Sequence, residues 1–349
     1  MKLRPLAVGA ATALLAVGAL VLLLAVTGHD PATALGALWA GAAGSRYALL
    51  SATLVRATPL ILAGLAVAVA FRAGILNVGA EGQLLAGGAA ATAVGLAGAG
   101  ALGGLVLPLA LVAGVGAGAA WAGIAALLRR RFGVLEVIST IMLNFVALYA
   151  TGWLVRGPLQ EPQRIYPQSP ALGEAARLPV VVPGSRLHLG FVLAALAGVA
   201  LWAFLRFTAA GFRLRATGLN PFAAASAGLV AVPAVTTAAF LVSGALAGLA
   251  GAVEVTGVTY ALYENLSPVY GYTAIAVALL ARLHPLGVIA SGILFGALEA
   301  GAGAMQRDAG VPAVVVTVVE ALLILLVLAA DRLGGRLRDA APADDRATA

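Results

Sequence analysis

Polar side chains able to hold a solute are few in this chain, and most of them fall in two stretches. The first, "FRAGILNVGAEGQLLAGG" at residues 71–88, sets Arg72, Asn77, Glu81 and Gln83 among five glycines. The second, "VLEVISTIMLNFVALY" at residues 134–149, carries Glu136, Ser139, Thr140 and Asn144. At about 100° per residue those four share an arc of about 140° on one helix face. Amides, hydroxyls and an isolated carboxylate offer hydrogen bonds rather than nucleophilic or metal chemistry. In apolar surroundings such groups either line a solute path or bond to neighbouring helices, and the sequence leaves both open for Asn77, Glu81, Gln83, Ser139, Thr140 and Asn144. Glu136 lies in the first turn, where the helix dipole favours an anion.

The elements that position these residues must be membrane helices. Of 349 residues, 62% are hydrophobic and 10% charged, against about 25% charged in a soluble domain. Continuous runs rich in Leu, Ala and Val argue for helices over a barrel's short alternating strands. Apolar windows at 6–27, 51–71, 82–98, 102–128, 135–155, 189–208, 231–252, 271–283, 286–304 and 311–330 predict an all-α polytopic fold of about ten transmembrane helices. The first run is longer than a signal peptide's core of about 7 to 15 residues, so an uncleaved span is expected. The chain lacks cysteine, which excludes disulfides and thiolate sites. Its net charge of +7 fits membrane-flanking arginines better than nucleic-acid binding.

With the N-terminus inside, Lys2, Arg4, Arg72, Arg129, Arg130, Arg131, Arg206, Arg213, Arg215, Arg282, Arg332, Arg336, Arg338 and Arg346 fall on the cytoplasmic side. Arg46, Arg156, Arg164, Arg177, Arg186 and Arg307 fall outside. The excess predicts cytoplasmic termini. Residues 1–332 then form one transmembrane domain, with a Pro-rich outer loop at 156–188 and little regular helix in it. Residues 333–349 read as a disordered cytoplasmic tail.

The cytoplasmic loop 206–230 contains "RATGLNPFAAASAG". Asn220 suits an N-cap, Pro221 the first helical position and Gly228 a terminator, so a short helix is expected, led in by Arg213 and Arg215. It is too short to span the membrane. Docking onto a partner protein and lying on the lipid interface are the two roles its composition allows.

Several candidates for other chemistry are weaker. Glu299 and Glu320 sit inside apolar windows and could serve an ion or proton path. His29, His188 and His284 lie at span ends without metal-ligand spacing. Tyr149, Trp153, Tyr260, Tyr263, Tyr270 and Tyr272 also lie at span ends, where interfacial aromatics are ordinary. GxxxxGK[ST], HExxH and GxSxG are absent, so no catalytic residue is assigned and energy must come from another chain or an ion gradient.

Together, "FRAGILNVGAEGQLLAGG", "EVISTIMLNFVALY", "RATGLNPFAAASAG" and "GYTAIAVALLARLHPLGVIASGILFG" resemble the permease subunits of ABC transporters. The likeness is to the nucleoside and simple-sugar branch of the branched-chain amino acid and ribose permease superfamily, over roughly residues 50–330. It implies a type II importer permease fold, paired with a second related permease above a cytoplasmic ATPase, and fed by a substrate-binding lipoprotein. ATP and Mg would belong to the ATPase, with no cofactor in this chain. The family's coupling helix corresponds to 213–228, which implies ATPase contact by Arg213, Arg215, Thr217, Gly218, Asn220, Pro221, Phe222 and Ala224. Glu320 departs from the pattern, at a position where a neutral polar residue is expected. The competing class is an ion-coupled secondary transporter, since Gly-rich broken helices and buried carboxylates also mark such carriers.

Overall fold

The computed structural model describes residues 3–98, 100, 102–228, 230–312, 314, 315, 317, 318 and 321. Most of the expected last span at 311–330, Glu320 and the tail 333–349 lie outside the described residues. Regular structure among the described residues is helical, apart from two isolated bridges, Gln168 with Tyr263 and Val180 with His188. The chain divides into two compact units, Met1–Ala48 with Leu298–Ala349, and Leu49–Ala297.

In the first unit, α1 (Leu3–Val26) and α2 (Pro31–Ala42) share a core in which Leu20, Leu24, Ala34 and Ala37 pack with Ala302, Met305 and Val311. No span was expected at α2. Its 12 residues rise only about 18 Å, well short of a bilayer core of about 30 Å. Its start is nonetheless written in the sequence, because Asp30 accepts hydrogen bonds from the Ala32 and Thr33 amides and Pro31 occupies the first turn.

The second unit is built around α3 (Leu54–Arg72), which follows a π-helical turn at Ala48–Thr53. Every residue of α3 from Ala57 to Ala70 is buried. An all-round apolar helix of this kind belongs at the centre of a bundle. Against it pack α7 (Leu189–Phe207), α10 (Val232–Glu254), α11 (Tyr270–Leu280) and the first part of α12 (Pro285–Asp308), while α4 (Ala80–Ala97), α5 (Val106–Phe132) and α6 (Glu136–Arg156) pack mainly on one another and α10. Two shorter helices, α8 (Ala209–Leu219) and α9 (Pro221–Ser226), connect α7 to α10.

The packing of α5 on α10 explains much of the glycine content. Gly114 and Gly118 on α5 meet Gly244 and Gly248 on α10 so closely that a methyl on Gly118 would overlap the Gly244 carbonyl. Recurrence every four residues gives each helix a flat backbone face. Close backbone packing replaces the hydrophobic drive that lipid does not supply.

Helices occupy the apolar windows expected through residue 304, and among the described residues six are long and apolar enough to cross a membrane: Ala48–Arg72, Gly103–Phe132, Glu136–Arg156, Leu189–Phe207, Val232–Thr259 and Pro285–Asp308. The loop 156–188 contains one 3-10 turn, Glu174–Ala176. It is ordered by backbone bonds to the chain that follows α10: the Ser169, Leu172 and Leu178 amides donate to the carbonyls of Leu262, Tyr260 and Thr256 at 2.9, 2.7 and 2.9 Å. Arg156 and Glu264 form a two-pronged ion pair at 2.6 Å per bond, and the Arg177 guanidinium lies 4.7 Å from the Tyr260 ring centre.

Candidate substrate path and docking surface

The glycine-rich stretch between α3 and α4 turns back into the bundle. Asn77 Nδ2 donates to Ser243 Oγ at 2.9 Å, and Ser243 in turn donates to the Ala66 carbonyl at 2.7 Å. Asn77 is thereby tied through Ser243 to the Ala66 carbonyl, within the last two turns of α3 rather than beyond its end. Residues 73–79 are irregular backbone at membrane depth, where each exposed peptide group needs a partner.

Side chains supply those partners. The Gly79 amide donates to Asn77 Oδ1 at 2.9 Å, the Val78 amide to Thr140 Oγ1 at 3.3 Å and the Gly82 amide to Asn144 Oδ1 at 2.8 Å. Asn144 Nδ2 returns bonds to the Val78 carbonyl at 3.0 Å and Tyr272 Oη at 3.1 Å. Asn77 and Gln83 also bond each other reciprocally, amide to carbonyl, at 3.1 Å both ways. The polar face of α6 thus stitches the turn in place.

A second irregular stretch, residues 260–269, approaches from the loop 156–188 and begins and ends on left-handed residues, Tyr260 (φ 57°) and Val269 (φ 62°). The two stretches meet where Glu81 Oε2 accepts from the Gly271 amide at 2.7 Å, and Ser267 hydrogen-bonds the same carboxylate. Val269 gives α11 no side-chain cap. Glu81 fills that role from a different helix, its carboxyl oxygen accepting an amide in the first turn of α11. The fit is tight enough that a methyl on Gly271 would overlap the Glu81 amide.

Five of the six residues read as path candidates from sequence, Asn77, Glu81, Gln83, Thr140 and Asn144, come together here and are buried. Ser139 is also buried but donates to the Glu136 carbonyl within its own helix. Glu136 lies 3.3 Å from Arg129 as well as at the start of α6. Sequence reading missed Ser243, a single hydroxyl in an apolar helix, and Tyr272, which it grouped with interfacial aromatics. His188 and His284 each accept an amide hydrogen bond two or three residues ahead, from Gly190 and Gly287, as helix-start caps.

The segment 206–230, where one short helix was expected, comprises two helices. Thr208 caps α8 by accepting from the Gly211 amide at 3.0 Å, so Arg213 and Arg215 are helical rather than a lead-in. Asn220 Oδ1 accepts from the Ala223 amide at 3.0 Å, Pro221 opens α9, and Gly228 ends the segment at φ 69°. Leu219 and Phe222 protrude with 88% and 84% of their surface exposed. Thr217 and Ala224 are buried, and Gly218 lies so close to α3 that a methyl on it would overlap the Arg72 carbonyl. Arg72 also reaches α12's leading turn, donating through Nε to the Leu283 carbonyl at 2.7 Å.

A helical bundle with several membrane-length apolar helices, irregular stretches sealed by polar side chains and a capped helix pair between two of them is the architecture of a multi-pass membrane protein. The chain belongs to the family described as branched-chain amino acid transport system / permease component, whose model matches residues 49–328. It is 41% identical over 319 residues to the guanosine ABC transporter permease protein NupP of Bacillus subtilis, covering 90% of this chain and 89% of that one. It is 38% identical to the glucose ABC transporter permease protein TsgB13 of Haloferax volcanii, covering 86% and 81%. It is 32% identical to the nucleoside ABC transporter permease protein NupB of Lactococcus lactis, covering 89% and 86%. No solved structure matches the chain.

Proposed function

We propose that this permease works in an ATP-driven importer that moves a nucleoside or simple sugar into the cytoplasm. The relatives named for guanosine, nucleosides and glucose support that substrate range. Residues 1–332 form the transmembrane domain with about ten spans and both termini cytoplasmic, residues 156–188 face outward, and 333–349 form the tail. A second, related permease completes the pathway; Bacillus subtilis and Lactococcus lactis each have a further matching permease, NupQ and NupC. A separate ATPase binds ATP and Mg, and an extracytoplasmic binding protein delivers solute.

The observation that carries this reading is the α8–α9 segment. Two large apolar side chains, Leu219 and Phe222, are the most exposed of the large apolar residues described and stand on a short capped helix pair, which suits burial against a partner protein. Directly behind them, Gly218 bears on the end of α3. A push on α8–α9 is thereby delivered to Arg72 and the start of the inward-turning stretch, so ATP need only favour one of two packed arrangements. Arg213, Arg215, Asn220, Pro221 and Phe222 form the ATPase contact, with Thr217, Gly218 and Ala224 as its backing. Asn77, Glu81, Gln83, Ser139, Thr140 and Asn144 shape the wall of the path by holding its irregular backbone.

Proteoliposomes containing the permease pair and the ATPase test this. Guanosine or glucose uptake should require internal ATP and the binding protein, and Arg213→Ala with Arg215→Ala should lower uptake while the binding protein's affinity for solute is unchanged. Uptake driven by an ion gradient without ATP would instead identify a secondary carrier.

A further inference from the structure

Between the end of α5 and the start of α10 lies an open cleft of about 240 Å³, lined by Ala126, Arg129, Arg130, Pro233, Thr236 and Phe240, among others. Cations at a helix C-terminus ordinarily serve the last carbonyls. Here the backbone does that work: Gly133, at φ 67°, donates to the Arg129 carbonyl at 3.0 Å, and Val134 donates to Leu128 at 3.4 Å. Arg129 turns Nη1 inward, 3.3 Å from Glu136, but its side chain is 35% exposed and lines the cleft, so the rest of its guanidinium is accessible there. Arg130 is exposed, and α10 has no acidic residue in its first turn. Arg129 and Arg130 both line the cleft; among the described residues its lining contains no acidic residue and Glu136 stands near Arg129 alone, so the cleft carries an excess of positive charge.

The α10 wall adds a complementary feature. Thr236 and Thr237 both give their hydroxyl protons to the Pro233 carbonyl, at 3.1 and 2.8 Å. Their oxygen lone pairs are left to accept. Ala126 and Phe240 supply an apolar floor at the end of two membrane-length helices.

We infer that this cleft binds the headgroup of an anionic phospholipid whose phosphodiester pairs with Arg129 and Arg130 and whose headgroup hydroxyl donates to Thr236 or Thr237. Phosphatidylglycerol has both features, a net negative charge and hydroxyl donors, whereas phosphatidylcholine has the phosphodiester but neutralises it with a quaternary ammonium and has no headgroup hydroxyl. Basic pockets between membrane helices are suited to phosphate headgroups, and the apolar floor favours a lipid over free phosphate.

The purified permease is incubated with equal amounts of phosphatidylglycerol and phosphatidylcholine of matched acyl chains, and retained lipid is read by native mass spectrometry. Phosphatidylglycerol should be retained preferentially, and Arg129→Gln with Arg130→Gln should reduce that preference about tenfold or more. Arg130→Gln alone, at an exposed position that tolerates change, should lower it several-fold, and Arg129→Lys with Arg130→Lys should keep most of it. Excess inorganic phosphate should leave the lipid in place. Equal retention of the two lipids, an unchanged preference in both glutamine variants, or displacement by inorganic phosphate would each overturn the inference.

Discussion

Gly218 of α8 packs directly onto the carbonyl oxygen of Arg72, the last residue of α3. Gly74, at φ 75°, faces the same spot, 3.2 Å from the Gly218 Cα when a Cβ is built on it. Both neighbours are backbone, so neither can rotate away from an added methyl. Gly218→Ala should therefore separate α8 from α3 and cost about 1–3 kcal/mol. In the assembled transporter it should cut uptake at least tenfold while the ATPase still turns over, as measured by parallel uptake and phosphate-release assays.

Asn77 makes bonds to Gln83, Ser243 and the Gly79 amide, all buried. Asn77→Ala strands those groups away from water. Bonds between membrane helices average less than about 1 kcal/mol, but a stranded buried group costs about 1–3 kcal/mol, and the second effect should dominate. The variant should melt well below the parent in detergent, whereas Ser139→Ala, which removes only a bond within α6, should melt close to it.

The Arg156–Glu264 pair has short bonds, yet its side chains are 59% and 31% exposed. Exposed pairs contribute about 0–1 kcal/mol and weaken with salt. Arg156→Gln should shift the melting temperature little, and less still at high salt. The backbone bonds from Ser169, Leu172 and Leu178 are what fix the loop, so its amide exchange should stay slow in the variant.

Burial, with a smaller push from Arg186, lowers the His188 imidazole to about 4 from its ordinary 6.5. Its Nδ1 accepts from the Gly190 amide, while its buried Nε2 has no partner among the described residues. The unfolded chain takes up the proton near pH 6.5 and the folded one only near 4. Stability is thus full above 6.5 and declines as pH falls toward 4, by about 3 kcal/mol in all. His188→Gln, which cannot titrate, should flatten this part of a melting-temperature profile taken between pH 7 and 4.

What the sequence revealed and what it hid follow from the range of the interactions. Asn220 and Pro221 announce α9 because capping acts over three residues, and the same signature at Asp30 and Pro31 marks α2, although a search for membrane-length runs passes over it. The polar arc of α6 was legible from its period. Its partners were not: Asn144 reaches Val78 and Tyr272, and Asn77 reaches Ser243, and only the folded bundle brings these together. The inward turn of residues 73–79 is hidden for the same reason, since its depth is set by Ser243 and Ala66 on two other helices.

The meeting of Glu81 with Gly271 has a mechanical consequence. The irregular stretch 73–79 leads into α4 and the irregular stretch 260–269 leads into α11, and the first turns of these two helices meet at the Glu81 carboxylate and the Gly271 amide. Two helices therefore begin inside the bundle, each against the other's first turn, and a shift of α4 relative to α11 would strain the Glu81–Gly271 bond, the Ser267 contact and the Asn144–Tyr272 bond together.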